Sequence, residues 1–168
     1  MTRSLGALLP AALEERLSQR DLPRLLGRAL PLLTLDDRGR PHPMLCSYLE
    51  LLAVNHAVIR VAIAARSSAR RNLEARPAAT LIIAEPELTM YIKCRASTPP
   101  LVVGELVRFE LVVDDVLEDA AADYEQGARI VGGLTYAPAP ALDSEWARTA
   151  LAVVTSSVNP SRPIKSSD

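Results

Sequence analysis

Aromatic residues are scarce: one Trp, one Phe and four Tyr make up 4% of the 168 residues. Few side chains are therefore on hand to stack on a planar ring. Tyr48, Tyr91 and Trp146 are the main ones, and packing is their default role because such side chains bury so much area. Two cysteines, Cys46 and Cys94, exclude a disulfide framework and show no CxxC spacing. Both lie in strand-like runs and read as buried thiols. His42 and His56 sit beside turns with no carboxylate at helical ligand spacing, so a metal centre, which needs several converging ligands, is not expected. Apolar runs fall short of the ~18 residues of a membrane span. The opening stretch MTRSLGALLPAALEERL is broken by Pro10 and turns acidic at Glu14, unlike a secretory signal, so a cytoplasmic protein is expected. Nineteen basic against 20 acidic residues argue against a general nucleic-acid binder. GxGxxG, Walker and GxSxG patterns are missing, which leaves Rossmann, P-loop and serine-hydrolase chemistry without support. The acidic pairs Asp114-Asp115 and Glu118-Asp119 are explained by solvated turns.

What remains is an ordinary globular balance, 49% hydrophobic and 23% charged, in a length that suits one domain with helical extensions. Leu5, Leu8, Leu9, Leu13 and Leu17 recur at helical spacing and predict an N-terminal helix broken near Pro10. A second short helix follows, with Asp21 as N-cap, Pro23 in its first turn and Gly27 at its end. From Leu30 the period changes. LPLLTL is a strand, DDRGR a hairpin turn, and PHPMLCSYLELLAV a second strand whose prolines push it to an edge. Asn55-His56 makes the next turn. In AVIRVAIAA, Ile59, Val61 and Ile63 share a packing face, while Ala62 and Ala64 on the other face leave room for something to lie close to the backbone. ATLIIA reads as a strand buried on both faces. LTMYIKCRAS alternates, with Leu88, Met90, Ile92, Cys94 and Ala96 inward, and Glu85-Pro86-Glu87 forms the turn before it. GELVRFELVVDDV points Val107, Phe109, Leu111 and Val113 inward and Arg108 and Glu110 outward. Strands this short, joined by tight turns, suggest a small antiparallel barrel. EDAAADYEQGARIVGG reads as a helix ending at Gly132-Gly133. DSEWARTALAVV has an Asp or Ser N-cap and continues as a helix or a final strand. The tail is too polar to fold.

One helix, AARSSARRNLEARP, starts at Ser67 or Ser68 and stops before Pro77, and it carries Arg70 and Arg71 in its first turn. Helix N-termini are electropositive and favour acids there. One reading is solvated surface charge. The other is an external anion that completes the site, bound by free N–H groups, Ser hydroxyls and Arg66, Arg70 or Arg71.

The run from LLTLDDRGRPHP through VIRVAIAARSSARRNLEARPAATLII and the alternating strand after it resembles the pyridoxamine 5′-phosphate oxidase-like family of FMN-binding split barrels, over roughly Leu30 to Val113. The resemblance implies a mainly β (α+β) fold: a six-stranded antiparallel split β-barrel with flanking short helices. The expected organisation is a helical segment over 1–29, the split-barrel domain with C-terminal helices over 30–156 and a flexible tail over 157–168. It implies a homodimer with FMN in the groove between subunits and a small-molecule redox substrate. Carried over by position, Arg66, Ser67, Arg70 and Arg71 fall in the phosphate segment, Met44, Leu45, Cys46 and Ser47 beside the flavin ring, Ala62 and Ala64 on the small-residue face, and Lys93 as a further phosphate partner. The vitamin B6 oxidase pattern is not met: PMLCSYLEL lacks the Arg and Lys of the corresponding strand, and NPSRPIK does not match the substrate segment. The expected function is an FMN-dependent oxidoreductase. Two alternatives stay open: a deazaflavin coenzyme or haem in the same groove, or a non-enzymatic dimeric ligand-binding module.

Overall fold

The computed structural model of the chain describes residues 2–120, 127 and 129–157. Over these residues the chain runs β1 (Thr2–Gly6), α1 (Ala11–Arg16), α2 (Leu22–Leu25), β2 (Arg28–Leu35), β3 (Pro41–Ser47), a 3₁₀ turn (Tyr48–Glu50), β4 (Leu51–Asn55), β5 (Val58–Ala64), α3 (Ser68–Ala75), β6 (Ala78–Glu85), β7 (Leu88–Ala96), β8 (Leu101–Val103), β9 (Leu106–Asp119), β10 (Leu134–Thr135) and α4 (Glu145–Thr155).

Six strands of seven residues or more lie side by side in the order β3–β2–β6–β7–β9–β5, every pairing antiparallel. Four shorter strands extend them: β4 beyond β5, β10 on β2, and β1 and β8 on the two ends of β9. The two ends of the long path, β3 and β4, are joined by only the three-residue 3₁₀ turn. The sheet therefore curls back on itself into a split barrel. The turn is fixed by a capping box: the Ser47 side chain accepts the Glu50 backbone N–H while the Ser47 backbone N–H donates to Glu50 Oε2 at 2.7 Å, and the Ser47 hydroxyl donates to the same oxygen at 3.0 Å. The DDRGR hairpin forms because the Asp36 carboxylate accepts the N–H groups of Arg38 and Arg40 and pairs with the Arg40 guanidinium.

Side-chain alternation sends one face of each long strand into a shared core. Leu30, Leu32, Ile59, Val61, Ile63, Leu81, Ile83, Ile92, Val107, Phe109 and Leu111 are all buried there. β7 alternates as its sequence predicts, with Lys93, Arg95 and Ser97 exposed. β6 is buried on one face only, since Thr80, Ile82 and Ala84 stay half-exposed.

Beyond β6, expected to be buried on both faces, the structure corrects the sequence reading at four further places. Residues 2–6 are a strand on β9, with Leu5 and Leu8 exposed; Leu9, Leu13 and Leu17 alone turn inward, around the short helix α1 that starts after Pro10. The predicted strand from Pro41 to Val54 is broken by the 3₁₀ turn. The face of β5 and β9 is covered around Ala62 and Arg108, because α4 lies across it there: Ala62 packs under Val153 and Val154, and Arg108 is fully buried. Two arginines fasten the C-terminal end of α4. Arg60 Nη1 donates to the carbonyls of Val154 (3.3 Å) and Ser156 (3.0 Å), and Arg108 Nη1 to those of Val153 (3.3 Å) and Ser156 (2.7 Å). Cations suit the negative end of a helix dipole. The sequence had left α4 open between helix and strand; the Ser144 hydroxyl, accepting the Ala147 N–H, caps it as a helix. Finally, Arg129–Gly133 are not helical; Ala121–Gln126 and Ala128 of that predicted helix lie outside the described residues, as does the tail from Val158.

Both thiols are buried among apolar side chains, and that burial raises their pKa, Cys94 to about 12 and Cys46 well above the ordinary thiol value. Raised folded-state pKa values give stability that is complete below the unfolded thiol pKa, near 9, and is lost above it. Each thiol should lower stability by about 1.4 kcal/mol per pH unit in that window. Urea titrations at increasing pH should show this alkaline loss, and a Cys94→Ala variant should show a shallower one.

Candidate functional site

α3 forms where Ser67 ends the extended chain: its Oγ accepts the Arg70 N–H at 3.1 Å. Ala69 and Leu73 anchor one face in the core, and the Asn72 side-chain amide donates to Thr34 Oγ1 at 2.9 Å, tying the helix to β2. Pro77 stops it. The three cations at its start, Arg66, Arg70 and Arg71, are not equivalent. Arg70 is committed, donating to the Ala65 carbonyl at 3.0 Å and pairing with Glu74, one turn on, at 3.1 Å. That pair gives Arg70 a structural role. Arg71 folds back over the N-terminus to Ser68 Oγ (3.0 Å) and the Arg66 carbonyl (3.3 Å) while its guanidinium stays exposed. Arg66 is 91% exposed, with only the exposed Glu105 3.9 Å away. The backbone N–H groups of Ser68 and Ala69 have no acceptor among the described residues. Two cations and two N–H groups therefore meet at the positive end of the helix.

A cleft of about 420 Å³ opens beside this point, between α3 and the DDRGR turn, with Ser68, Arg71, Asn72 and Arg76 on one side and Asp36 and His42 on the other. Arg76 Nη2 reaches across to the Asp37 carbonyl at 2.8 Å. The Arg40 N–H bonded to Asp36, with the other donors of the turn, holds that carboxyl below its ordinary range, so it stays ionised and turned into its own loop. His42, weighed in the sequence only as a metal ligand, and Asn72 and Arg76 were not among the expected site residues; they meet only because the hairpin and the helix fold onto β2.

The residues expected beside a cofactor are placed as follows. Among the described residues β3 pairs with β2 alone, so its other edge carries backbone groups with no strand partner among them. On it Met44 is half-buried against the core, Leu45 is 47% exposed, Cys46 is buried, and Ser47 is buried and bonded to Glu50. Ala64, Arg66, Ser67, Arg70 and Arg71 cluster where β5 runs into α3, and α3 touches β2, β3 and β5. Ala62 lies under α4, away from any open groove. Lys93 is exposed on the outer face of β7, in the cross-strand row Pro43, Leu33, Thr80, Lys93. It stands three strand spacings from β3, about 14 Å.

A second polar cluster went unnoticed in the sequence. Glu85, read there as a turn residue, is only 4% exposed; Arg16 Nη1 and Arg28 Nη1 each lie 2.5 Å from its Oε2, and the Tyr48 hydroxyl donates to Oε1 at 2.8 Å. Burial first, and then Glu85, push the Tyr48 pKa above its ordinary value, so the phenol stays a donor. Among the described residues, no group of three or more His, Cys, Asp or Glu could hold a metal ion, and no helix is long and apolar enough to cross a membrane.

Set against models of protein families the sequence matches none, and it matches no curated protein. Solved structures do match. A protein of Lactobacillus delbrueckii, provisionally assigned as a pyridoxamine 5′-phosphate oxidase, superposes with a TM-score of 0.53 at 12% identity, over 68% of this chain and 98% of that one. An FMN-binding protein of Syntrophomonas wolfei does so with a TM-score of 0.50 at 12% identity, over 66% and 91%. A haem storage protein of Vibrio cholerae, at 0.47 and 16% over 65% and 93%, is too distant to argue from. The curled antiparallel sheet and its short helices are the split-barrel fold of the pyridoxamine 5′-phosphate oxidase-like and FMN-binding proteins.

Proposed function

We propose that the protein is a flavin-dependent oxidoreductase of the split-barrel type that binds FMN with its phosphate at the start of α3 and its ring along the free edge of β3. The observation that carries this reading is the gathering of Arg66, Arg71, the Ser68 hydroxyl and the N–H groups of Ser68 and Ala69 at the start of α3, where Ser68 and Arg71 also line the cleft beside an edge strand. Such a set suits a phosphate dianion. The edge of β3 would bond the polar rim of the ring. Bound flavin supplies the electron transfer, and the chain supplies binding and orientation. Arg70, tied to Glu74 and Ala65, supports the backbone of the site, and Ala62 takes no part. That two solved split barrels are described as an oxidase assignment and an FMN-binding protein supports the choice of cofactor.

The test is the near-ultraviolet and visible absorption of the purified protein, before and after FMN is added and the excess removed. Retained flavin bands are expected, and an Arg66→Ala, Arg71→Ala variant should bind FMN at least tenfold more weakly, since a charge-assisted bond contributes about 1.5–3 kcal/mol. A Soret band would assign haem instead, and a deazaflavin spectrum that coenzyme. A protein that takes up no chromophore would sink the oxidoreductase reading. One observation favours the non-enzymatic alternative: Tyr48 is buried on Glu85 and the Tyr91 hydroxyl is tied to Asp119 at 2.6 Å, so aromatic rings free to stack on a flavin are few.

We also propose a homodimer through the outer face of β3, β2, β6 and β7. There Leu45 stands beside Pro31, Leu33 beside Thr80 and Ile82 beside Tyr91, and the apolar side chains of this face are left half-exposed or exposed in one chain. Sedimentation should give a dimer for the native chain and a monomer for Ile82→Glu; a monomeric native protein would refute this face.

A further inference from the structure

We infer that the cleft between α1, α2 and the start of β2 is a second anion site, fitted to the diphosphate group of a small soluble molecule. It does not depend on the flavin reading. The cleft, about 640 Å³, is lined by four arginines: Arg16 at the end of α1, Arg20, Arg24 in α2 and Arg28 at the start of β2. They form two pairs of different character. Arg16 and Arg28 are the inner pair, 21% and 30% exposed, and each is held through one nitrogen on the same oxygen of the buried Glu85. Glu85 is in turn fixed by the Tyr48 hydroxyl. A buried carboxylate that grips one nitrogen of each guanidinium sets both groups in place at the cleft wall at little further cost in side-chain entropy.

Arg20 and Arg24 are the outer pair, 76% and 82% exposed. Three other carboxylates face the cleft. Glu15 lies 3.1 Å from Arg20, Asp21 is 3.7 Å from Arg24, and Glu87 is 3.9 Å from Arg16 and 3.7 Å from Arg28. These acids are 62%, 60% and 58% exposed. Exposed pairs of this kind contribute under about 1 kcal/mol each, so a ligand that carries its own charge can displace them. The buried Glu85 stays with the inner pair. An inner fixed pair and an outer exposed pair of forked donors match two adjacent anionic groups better than one.

Isothermal titration of the full chain with inorganic pyrophosphate tests this. The native protein should bind it, with an affinity that falls as salt rises, and an Arg66→Ala, Arg71→Ala protein, from which the anion site at α3 is removed, should keep a binding event of this kind. Arg20→Glu, Arg24→Glu, at exposed positions that leave the fold intact, should bind at least tenfold more weakly. Inorganic phosphate should bind more weakly than pyrophosphate. The proposal falls if the native chain gives no binding heat, if Arg20→Glu, Arg24→Glu binds as the native chain does, or if Arg66→Ala, Arg71→Ala abolishes binding, which would put the anion at α3. Equal affinity for phosphate would overturn the diphosphate assignment.

Discussion

Replacing Glu85 with Ala is expected to cost about 3–5 kcal/mol of stability, enough to lower the melting temperature by roughly 10 °C. Glu85 closes β6, and its 4%-exposed carboxylate gathers Arg16 from α1, Arg28 from β2 and Tyr48 from the 3₁₀ turn. Without it, two guanidiniums that had converged on one oxygen face each other, and a buried phenol loses its acceptor. Glu87 does not replace it, since it lies 3.7–3.9 Å from those arginines and is 58% exposed. Buried pairs are weak stabilisers when whole and expensive when halved, so truncating one partner gives the large effect. Glu85→Gln, which keeps the volume and one acceptor, should fall between native and Ala. Urea unfolding followed by circular dichroism reads the difference. A loss below about 1 kcal/mol for Glu85→Ala would mean that water already satisfies the cluster.

Replacing Arg108 with Ala should be nearly as damaging, about 3 kcal/mol, through α4 rather than through the main core. The side chain is fully buried and donates to two carbonyls at the end of the helix, each such charge-assisted bond contributing roughly 1.5–3 kcal/mol. Glu110, 3.7 Å from Arg108, keeps its bond to Arg60 at 3.1 Å, so the loss falls on the helix terminus. The chain has a single Trp, Trp146, in the first turn of α4. It is 42% exposed when the helix is docked. Its emission should move to longer wavelength in the Arg108→Ala protein at denaturant concentrations where circular dichroism still reports an intact sheet. If both signals change together, α4 belongs to the same cooperative unit as the barrel, and the local account fails.

These two residues show where a sequence speaks and where it does not. Alternation placed Arg108 on the outer face of β9 correctly, but an outer face is wet only if nothing covers it, and α4 comes some forty residues later. Glu85 sat in a Glu-Pro-Glu turn between two strands, and its partners Arg16, Arg28 and Tyr48 are remote in sequence, so no local pattern could connect them. By contrast α3 was legible because every cue is local: a Ser cap, an apolar stripe at Ala69 and Leu73, and a Pro stop. The DDRGR hairpin and β7 were legible for the same reason. The leucines before Arg20 misled because helical spacing was counted without knowing that β9 would recruit residues 2–6 as a strand. At the candidate site, Arg66 and Arg71 could be picked out by their position at a helix start, whereas the commitment of Arg70 and the closeness of His42 and Arg76 depend on folding.

The pairing of β1 with the far end of β9 also sets an order of events during synthesis. Thr2 is the first described residue, and its partner across the ladder is Asp119. As the chain leaves the ribosome, Thr2–Gly6 must wait without this partner until Val116 to Asp119 have been made. The other strands that β9 joins, β5, β7 and β8, wait with it. Translation thus delivers β2, β3, α3 and β6 early, as a partial sheet with an open flank, and the arrival of β9 draws the earlier pieces together. A stall or cleavage ahead of Leu106 would leave the nascent chain with β5, β7 and the N-terminal strand all missing the same neighbour.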